Sequence, residues 1–423
     1  MTLLSTEHNV TAGRNVTIVA TGSGTTGADG DIVARGTQIS GQNVTLDAAR
    51  DINLASAQDT TQANGSNSSG SFGVGVGLNL GGAQNGFTVE LSAAGAKGNA
   101  NGTSTTNRDT QVNASDTLAM TSGRDMTLAG AKVSGNTVTA DVGRNLTIAS
   151  QQDTANYDSK QASAGVNLSI CVPPICYGVS GSANASWQSI TNSFASVSQQ
   201  SSIYAGEGGF NVNVGNHTQL DGGVISSTAS TDKNMLSTQS FGYTNLENHA
   251  DYSGTAVGFT GSTNGMQGNA SIVTPSMAPT GFSAAGTGDS ASGTTYAAVS
   301  PGTITVRDDV LTGQDSTAGL SRDTANANGS VQNQFNAQAV QNDLQVQQMA
   351  SQVGMQVAGD VADALEKNNP ALWGVDGAGR VGLHAGVAAI TAALGGGNVG
   401  GAVAGTVAGD LANAATGAAE IAY

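Results

Sequence analysis

The sequence predicts a mainly β protein: a right-handed parallel β-helix (solenoid) with long β-hairpin excursions, followed by an α-helical, Gly/Ala-rich C-terminal region. Three observations predict this class. A six-residue motif recurs along the chain, long stretches alternate between apolar and small residues, and the apolar spacing changes to a helical period after Val331.

The composition indicates a thin, repetitive architecture. The 423 residues include 60 glycines but only 2 tryptophans, 8 phenylalanines and 7 tyrosines, and 10% are charged where soluble domains average about 25%. This argues against a thick globular core and an ordinary enzyme, and for a core of Val, Ile, Leu and Ala. The net charge of -16 repels nucleic acid, so we expect no nucleic-acid partner.

The short motif occurs at residues 13–18 (GRNVTI), 123–128 (GRDMTL) and 143–148 (GRNLTI), with a looser copy at 49–54 (ARDINL). Glycine provides a corner, Asn or Asp hydrogen-bonds the turn, and the alternation that follows buries two side chains on one face of a short strand. Such a strand is stable only when many copies stack. The motif therefore predicts stacked coils.

The spacing of the copies gives the coil length. Copies that begin at Gly123, Gly135 and Gly143 are 12 and 8 residues apart, which predicts a coil of 20 residues. Separate hairpins in a β-sandwich are the alternative. The residues expected to point into the coil core are Val16, Ile18, Val44, Leu46, Ile52, Leu54, Met126, Leu128, Leu146 and Ile148.

A longer repeat includes the short one. Residues 41–60 align without gaps on residues 135–154, with ten identities in twenty positions. The repeating unit is therefore about 94 residues and contains coil strands followed by a long excursion.

The excursions have the pattern of β-hairpins. The first alternates apolar with small residues, turns at residues 81–86 with an Asn-Gly pair, and returns with the same period of two. Its apolar positions are Phe72, Val74, Val76, Leu78 and Leu80, then Phe87, Val89 and Leu91. Those of the second are Val166, Leu168 and Ile170, then Ile175, Tyr177 and Val179. We expect the apolar side to pack on the coils, with membrane-spanning strands as the alternative.

The two cysteines lie at the tip of the second hairpin, as Cys171-Val-Pro-Pro-Ile-Cys176, with no His or carboxylate nearby to complete a metal site. A small disulfide ring is predicted, which implies an oxidising compartment, with two reduced thiols as the alternative. The N-terminus has no signal-peptide pattern, so we expect a fragment of a secreted protein.

After Val331 the apolar residues follow a helical stripe, and the pattern predicts a helix of about 30 residues, broken near Gly354 or Gly359 and ended by residues 368–370. The stripe consists of Phe335, Val340, Leu344, Met349, Val353, Val357, Val361 and Leu365. We expect this helix to pack on its own domain rather than on a membrane surface, because its polar face has almost no Lys or Arg.

Residues 381–408 contain no formally charged residue. Small residues at Gly401, Gly405 and Gly409 have the spacing by which helices approach each other closely, and residues 395–398 would interrupt a helix. A helical hairpin of residues 381–394 and 399–415 is predicted, either re-entrant in a membrane or packed in a soluble domain.

Residues for catalysis are sparse. The four histidines are scattered, no pair has metal-ligand spacing, and glycine runs such as residues 73–77 lack the Lys-Ser/Thr of a phosphate loop. We therefore expect no catalytic residues, no metal and no cofactor.

Four segments together resemble the second haemagglutinin-repeat region and the following pre-toxin region of two-partner-secretion exoproteins, the filamentous-haemagglutinin and contact-dependent growth-inhibition family. They are the coil motifs, residues 55–60 (ASAQDT), residues 220–227 (LDGGVISS), and a downstream run that consists of residues 245–252 (NLENHADY), 300–308 (SPGTITVRD) and 320–324 (LSRDT). That family's N-terminal secretion domain and Val-Glu-Asn-Asn boundary motif are not in this sequence, so the piece is expected to lack the toxin's catalytic residues.

The resemblance implies three regions: a repeat solenoid with hairpins at 1–230, the end of the repeats with a Gly/Ser-rich linker at 231–320, and a helical pre-toxin region at 321–423. It implies a secreted, cell-surface, non-enzymatic stalk that contacts neighbouring cells and helps a C-terminal toxin cross the target outer membrane. An adhesive filament without a toxin is the alternative. The implied partners are an outer-membrane transporter, a target-cell surface and, through the toxin domain alone, an immunity protein.

Overall fold

In the computed structural model the chain is mostly β-strand, and its helices follow residue 306. The structure describes residues 2–4, 9–23, 29–79, 86–173, 178–263, 278–374 and 377–394. Parallel strands stack into coils, and long antiparallel hairpins leave the coils. The mainly β, solenoid-like class with a helical C-terminal region is therefore confirmed.

Two parallel sheets line the coils. In the described residues the first, the short-strand sheet, contains seven strands. In order across the sheet they are β1 (Thr2–Leu4), β4 (Ile32–Arg35), β6 (Ile52–Ala55), β10 (Met126–Ala129), β12 (Leu146–Ala149), β16 (His217–Asp221) and β19 (Ser240–Thr244).

The second parallel sheet, the long-strand sheet, contains ten strands within the same described ranges. They are β2 (Asn9–Thr11), β3 (Asn15–Ala20), β5 (Gln38–Ala48), β9 (Thr110–Ser122), β11 (Ala131–Val142), β15 (Ser202–Val214), β17 (Val224–Ser227), β18 (Met235–Thr238), β22 (Ala298–Val299) and β23 (Thr303–Val306). A 3₁₀ turn at Thr231–Lys233 precedes β18.

One coil consists of a short strand, a glycine corner and a bent long strand. Met126 lies directly beside Leu146 of the next coil, so the two positions differ by 20 residues, as the motif spacing predicts. Gly130, with a φ of 72°, turns the chain from β10 into β11, and a Cβ there would meet the Cβ of Ser56 at 2.6 Å. The left-handed conformation and the close neighbour both require glycine.

The glycine and the polar residue of the motif both contact an adjacent coil. A Cβ on Gly143 would collide with the carbonyl oxygen of Gly123 in the coil before it. Asp125 accepts hydrogen bonds from the backbone N–H and the side-chain amide of Asn145, at 3.2 and 2.9 Å, and lies 3.4 Å from Arg144. The sequence predicted bonds within one turn, whereas these bonds form a ladder from coil to coil.

The core of the coils is made of aliphatic side chains from both sheets. Nine of the ten predicted core positions are buried, and Ile18 is partly buried against the same cluster. Burial alternates along β4, β6, β10, β12 and β16. In β10, for example, Met126 and Leu128 are fully buried and Thr127 is half-buried.

The third sheet, the hairpin sheet, is antiparallel and has six strands in the described residues. Each hairpin contributes a pair of strands. The pairs are β7 (Ala57–Asn79) with β8 (Gly86–Arg108), β13 (Asp153–Cys171) with β14 (Val179–Ser196), and β20 (Leu246–Thr263) with β21 (Ala278–Thr295). The order across the sheet is β21-β20-β14-β13-β8-β7.

Hairpins leave the solenoid at every second coil. They follow β6, β12 and β19, and one further short strand lies between each of these in the sheet. Neighbouring strands are about 4.8 Å apart, so two coils advance about 9.6 Å, which is also the width of the two strands of a hairpin. Because the two distances match, successive hairpins pair with each other and form one sheet along the solenoid.

Coil strands continue beyond residue 230, as far as Val306. Residues 231–320 were expected to hold the end of the repeats and a Gly/Ser-rich linker, and the structure places β18, β19, the third hairpin, β22 and β23 there. Among the described small residues of this range, Gly254 lies in a strand of the third hairpin and leaves room for Val340 and Leu344 of a helix.

The helices are α1 (Arg307–Thr312), α2 (Ala337–Glu366), α3 (Pro370–Trp373) and α4 (Ala378–Leu394) in the part of the chain that the structure describes. Helix α2 is continuous, so the predicted break near Gly354 or Gly359 is wrong. A Cβ at Gly354 would meet Val387 of α4 at 2.6 Å. That glycine therefore permits close contact between the two helices.

The predicted apolar stripe of α2 divides between two faces. Val340 and Leu344 are buried against the hairpin sheet, whereas Met349, Val353 and Val357 are exposed, which corrects the prediction of one packed stripe. The step from Leu344 to Met349 is five residues, a rotation of about 140° from the preceding face at about 100° per residue. The face toward the sheet and α4 continues instead with Ser351, Met355, Ala358 and Ala362.

Candidate functional site

Polar side chains at the bases of the hairpins tie neighbouring hairpins to each other. Asn107, at the end of the first hairpin, donates from its side chain to the carbonyl of Gln152 at 2.9 Å, and its backbone N–H donates to Asp153 at 2.6 Å. The first hairpin is thereby tied to the start of the second.

Asn248 has the corresponding role at the third hairpin and is fully buried. Its amide donates to the Thr295 hydroxyl at 2.8 Å and to the Gly329 carbonyl at 2.9 Å. Its side-chain oxygen accepts from the Val197 backbone at 3.0 Å and from Gln152 at 3.1 Å. One side chain thus joins the second hairpin, the third hairpin and the segment that leads to α2.

A buried carboxyl lies beside these contacts. Asp109 follows the last residue of the first hairpin and is only 8% exposed. Burial, opposed by Lys132 and reinforced by the nearby Asp153 charge, raises the pKa of Asp109 to about 6. Its buried Oδ2 atom has no hydrogen-bond partner in the described part of the chain.

The strand register places the apolar residues of all the hairpins on one face. Val74 lies opposite Leu91, Leu91 opposite Leu168, and Trp187 opposite Val257, and directly opposed residues point to the same side of a sheet. We define the apolar face as Phe72, Val74, Val76, Leu78, Phe87, Val89, Leu91, Val166, Leu168, Ile170, Val179, Trp187, Val257 and Phe259.

Much of this apolar face is exposed to solvent. Phe72 and Val76 are 75% and 77% exposed, and Val166 and Phe259 also rank among the exposed large apolar residues. The expectation that this side packs on the coils is therefore wrong. A continuous exposed apolar patch of this kind marks a surface that contacts another molecule or a membrane.

Trp187 and two lysines lie at the end of the apolar face that is nearer to the coils. We call this end the lower boundary of the apolar face. Lys97 lies opposite Ala162, and Lys160 is two residues before it on the same side of β13. Trp187 lies opposite Ala162 on β14, and its ring is partly exposed. From Ala162 to Ile170 is eight residue steps, or about 27 Å, close to the ~30 Å hydrocarbon thickness of a bilayer.

The opposite face of the hairpin sheet carries small and polar residues and is partly covered by α2. A Cβ on Gly254 would meet Val340 at 2.6 Å, so that glycine lets the helix lie directly on the strand. Phe335 packs between Tyr157 and Tyr252, with ring centroids 5.2 and 5.9 Å apart. The sheet therefore has one partly covered side and one open side.

Some of the predicted site residues lie where the structure gives no description. Cys171 is buried and its backbone N–H donates to the Gly178 carbonyl at 3.0 Å, but Cys176 is outside the described residues, so the disulfide stays a prediction. The Asn-Gly turn of the first hairpin, apart from Gly86, and the three glycines of the predicted helix-packing motif, Gly401, Gly405 and Gly409, are also outside them.

The described residues offer little for catalysis or metal binding. Within these ranges, no group of three His, Cys, Asp or Glu side chains could hold a metal ion. Cross-strand register, which the sequence spacing did not reveal, brings His249 within 3.1 Å of Ser193 and His217 within 2.8 Å of Ser240. Among the helices described, none has both the length and the apolar character to cross a membrane.

Comparisons with known proteins agree with this architecture. The hemagglutinin-repeat family profile matches residues 4–164. Relatives include a toxin CdiA of Escherichia coli, 41% identical over 359 residues, and a 16S rRNA endonuclease CdiA of Enterobacter cloacae, 44% identical over 362 residues. A deoxyribonuclease CdiA of Yersinia pseudotuberculosis is 40% identical over 361 residues. No solved structure matches the chain.

These matches cover 82 to 85% of this chain but only 10 to 32% of the relatives, so the chain spans a third or less of their length. The stacked coils and hairpins define a hemagglutinin-repeat solenoid. The chain belongs to the filamentous-haemagglutinin and contact-dependent growth-inhibition exoproteins, which are secreted cell-surface proteins.

Proposed function

We propose that this chain is a non-catalytic stalk and delivery segment, which contacts a neighbouring cell and helps a C-terminal toxin cross the target outer membrane. The observation that supports this proposal most directly is the exposed apolar face of the hairpin sheet. Hydrogen bonds at the bases of the hairpins join neighbouring hairpins, so this face is exposed without a partner.

The pattern of the apolar face favours lipid as the surface it contacts. On the second hairpin, the height of the apolar face is close to the thickness of the hydrocarbon layer of a bilayer. Trp187, Lys97 and Lys160 lie at its lower boundary, and aromatic and lysine side chains anchor proteins at membrane interfaces. The net charge of -16 opposes binding to strongly anionic headgroups, so a zwitterionic surface is the better probe.

The names of the relatives support the delivery part of the proposal. They are a toxin, a deoxyribonuclease and a 16S rRNA endonuclease, and the segment shared with this chain includes the repeat region. We therefore assign the catalytic activity, the immunity partner and the secretion transporter to other parts of a longer protein.

Flotation of the full chain with phosphatidylcholine vesicles tests the proposal. We expect the wild-type chain to float, and the Phe72→Ser/Val76→Ser variant to bind at least about tenfold more weakly, because two apolar side chains no longer leave water. The matched control is Val353→Ser/Val357→Ser, on the exposed side of α2, which should float like the wild type. A wild-type chain that stays unbound would instead favour an adhesive filament without membrane contact.

A further inference from the structure

The outer strand of the first hairpin is an unusual sheet edge. Strand β7 pairs with β8 over 23 residues without a register shift, and within the described chain β8 is its one sheet neighbour. Along its other side, β7 therefore presents a long, straight row of backbone N–H and C=O groups.

This edge lacks the devices that normally prevent strands from pairing between molecules. From Thr60 to Asn79 the sequence contains no charged residue and no proline, and the continuous register excludes a bulge between Ala57 and Asn79. Four of its residues, Phe72, Val74, Val76 and Leu78, are exposed and apolar. An edge with these properties favours addition of another strand.

The opposite edge of the same sheet is protected. Helix α2 lies against β21, and the backbone N–H of Gly286 in that strand donates to the side-chain oxygen of Gln347 at 3.0 Å. At the base of β21, Thr295 forms a bridge with Asn328. Within the described residues, the fold therefore places a helix against β21 at one edge of the hairpin sheet and no strand beside β7 at the other edge.

The solenoid leaves room beside β7. Hairpins follow every second coil, so the next hairpin on this side would follow β1. Only four residues separate Leu4 from Asn9, the ends of β1 and β2, which is too few for a hairpin of this length. The coil that contains β1 therefore places no hairpin beside β7.

We infer that the β7 edge pairs with the β7 edge of a second copy of this chain, antiparallel and about a two-fold axis. Residues 60–79 of the strand are uncharged and self-complementary, because antiparallel pairing can set Val74 opposite Val76 of the second copy and join the two apolar faces into one. An isologous contact uses the open edge of both molecules, so it produces dimers and stops there.

Sedimentation velocity of the full chain over a range of concentrations tests this inference. The wild type is expected to show a monomer–dimer equilibrium. Val74→Lys/Val76→Lys and Val74→Glu/Val76→Glu should each associate at least about tenfold more weakly, because like charges then lie opposite each other. An equimolar mixture of the two variants should recover dimers, because opposite charges meet, and this recovery excludes misfolding as the cause of the loss.

The matched control variant has two lysines on the same face of the sheet, but on strands away from the β7 edge. Val166→Lys/Phe259→Lys changes the interior strands β13 and β20 and should dimerise like the wild type. Equal loss in this control would mean that the apolar faces stack and would overturn edge pairing. A wild type that remains monomeric, or a variant mixture without dimers, would overturn it as well.

Discussion

Leu91 of the first hairpin lies directly opposite Leu168 of the second, although 77 residues separate them in the chain. The pairing exists because each hairpin is as wide as the advance of two coils, so the return strand of one hairpin meets the outgoing strand of the next. The solenoid thus sets the order of the strands in the hairpin sheet, and the register of those strands places the apolar positions on one side of it.

Because burial alternates along the coil strands, substitutions at neighbouring residues should lower the stability of the fold by unequal amounts. Leu128→Ala should lower the free energy of unfolding by about 2–5 kcal/mol, because Leu128 is fully buried between stacked coils. Thr127→Ala, on the half-buried outward side, should cost less than about 1 kcal/mol. Urea denaturation of the full chain measures both. Equal costs at the two positions would contradict the alternating core.

Replacing the partly buried Ile18 should lower stability by an intermediate amount. Ile18→Ala removes side-chain atoms that pack against the coil core at one side only, so we expect a cost between those of Leu128→Ala and Thr127→Ala, roughly 1–2 kcal/mol. The same urea titration applies. A cost as large as that of Leu128→Ala would mean that a further coil covers this position in solution.

Among the polar residues, Asn248 should be one of those whose replacement destabilises the fold most. Asn248→Ala leaves the Val197 N–H and the Thr295 hydroxyl without this partner in a buried site, and we expect a loss of about 2–4 kcal/mol. Asn167→Ala, on an exposed part of β13, is the control and should change stability by less than about 0.5 kcal/mol. Thermal unfolding would show whether the two variants differ as expected.

Asp109 should make the protein less stable as pH rises from about 4 to 6. Its pKa is raised to about 6 in the fold, so between the ordinary aspartate pKa of 3.8 and that value the folded chain binds more protons than the unfolded chain. Stability from this group is present at low pH and is lost as pH rises through 6.

Asp109→Asn should therefore stabilise the fold at pH 7 by roughly 1–3 kcal/mol and have little effect near pH 4. Denaturant titrations of wild type and variant at several pH values provide the comparison. A variant that is less stable than the wild type at pH 7 would show that the charged carboxylate is compensated in the fold.

Much of the coil architecture could be predicted from sequence because it is periodic and local. The 20-residue spacing and the alternation after each Gly-Arg-Asn/Asp follow from short segments, and the buried positions Leu128 and Leu146 lie within them. The motif also suggested turn bonding for Asp125, whereas its partner Asn145 is one coil away. Bonds between coils depend on stacking register, which one copy of the motif does not reveal.

The sequence was less informative about where each apolar surface faces. The alternation from Phe72 to Leu78 defines one side of β7 but does not say whether that side is covered, because this depends on where the other hairpins lie. The single stripe predicted for α2 was similarly misleading, since Leu344 and Met349 are five residues apart and face different ways.

The most direct test of the proposed membrane contact is the position of Trp187 after the chain binds vesicles. The chain has two tryptophans, so Trp373→Phe leaves Trp187 as the one indole fluorophore. With phosphatidylcholine vesicles that carry brominated acyl chains, we predict strong quenching of Trp187, and little quenching of Trp373 in the reciprocal Trp187→Phe variant. Unquenched Trp187 in vesicle-bound protein would contradict the assignment of the apolar face as the surface that contacts the membrane.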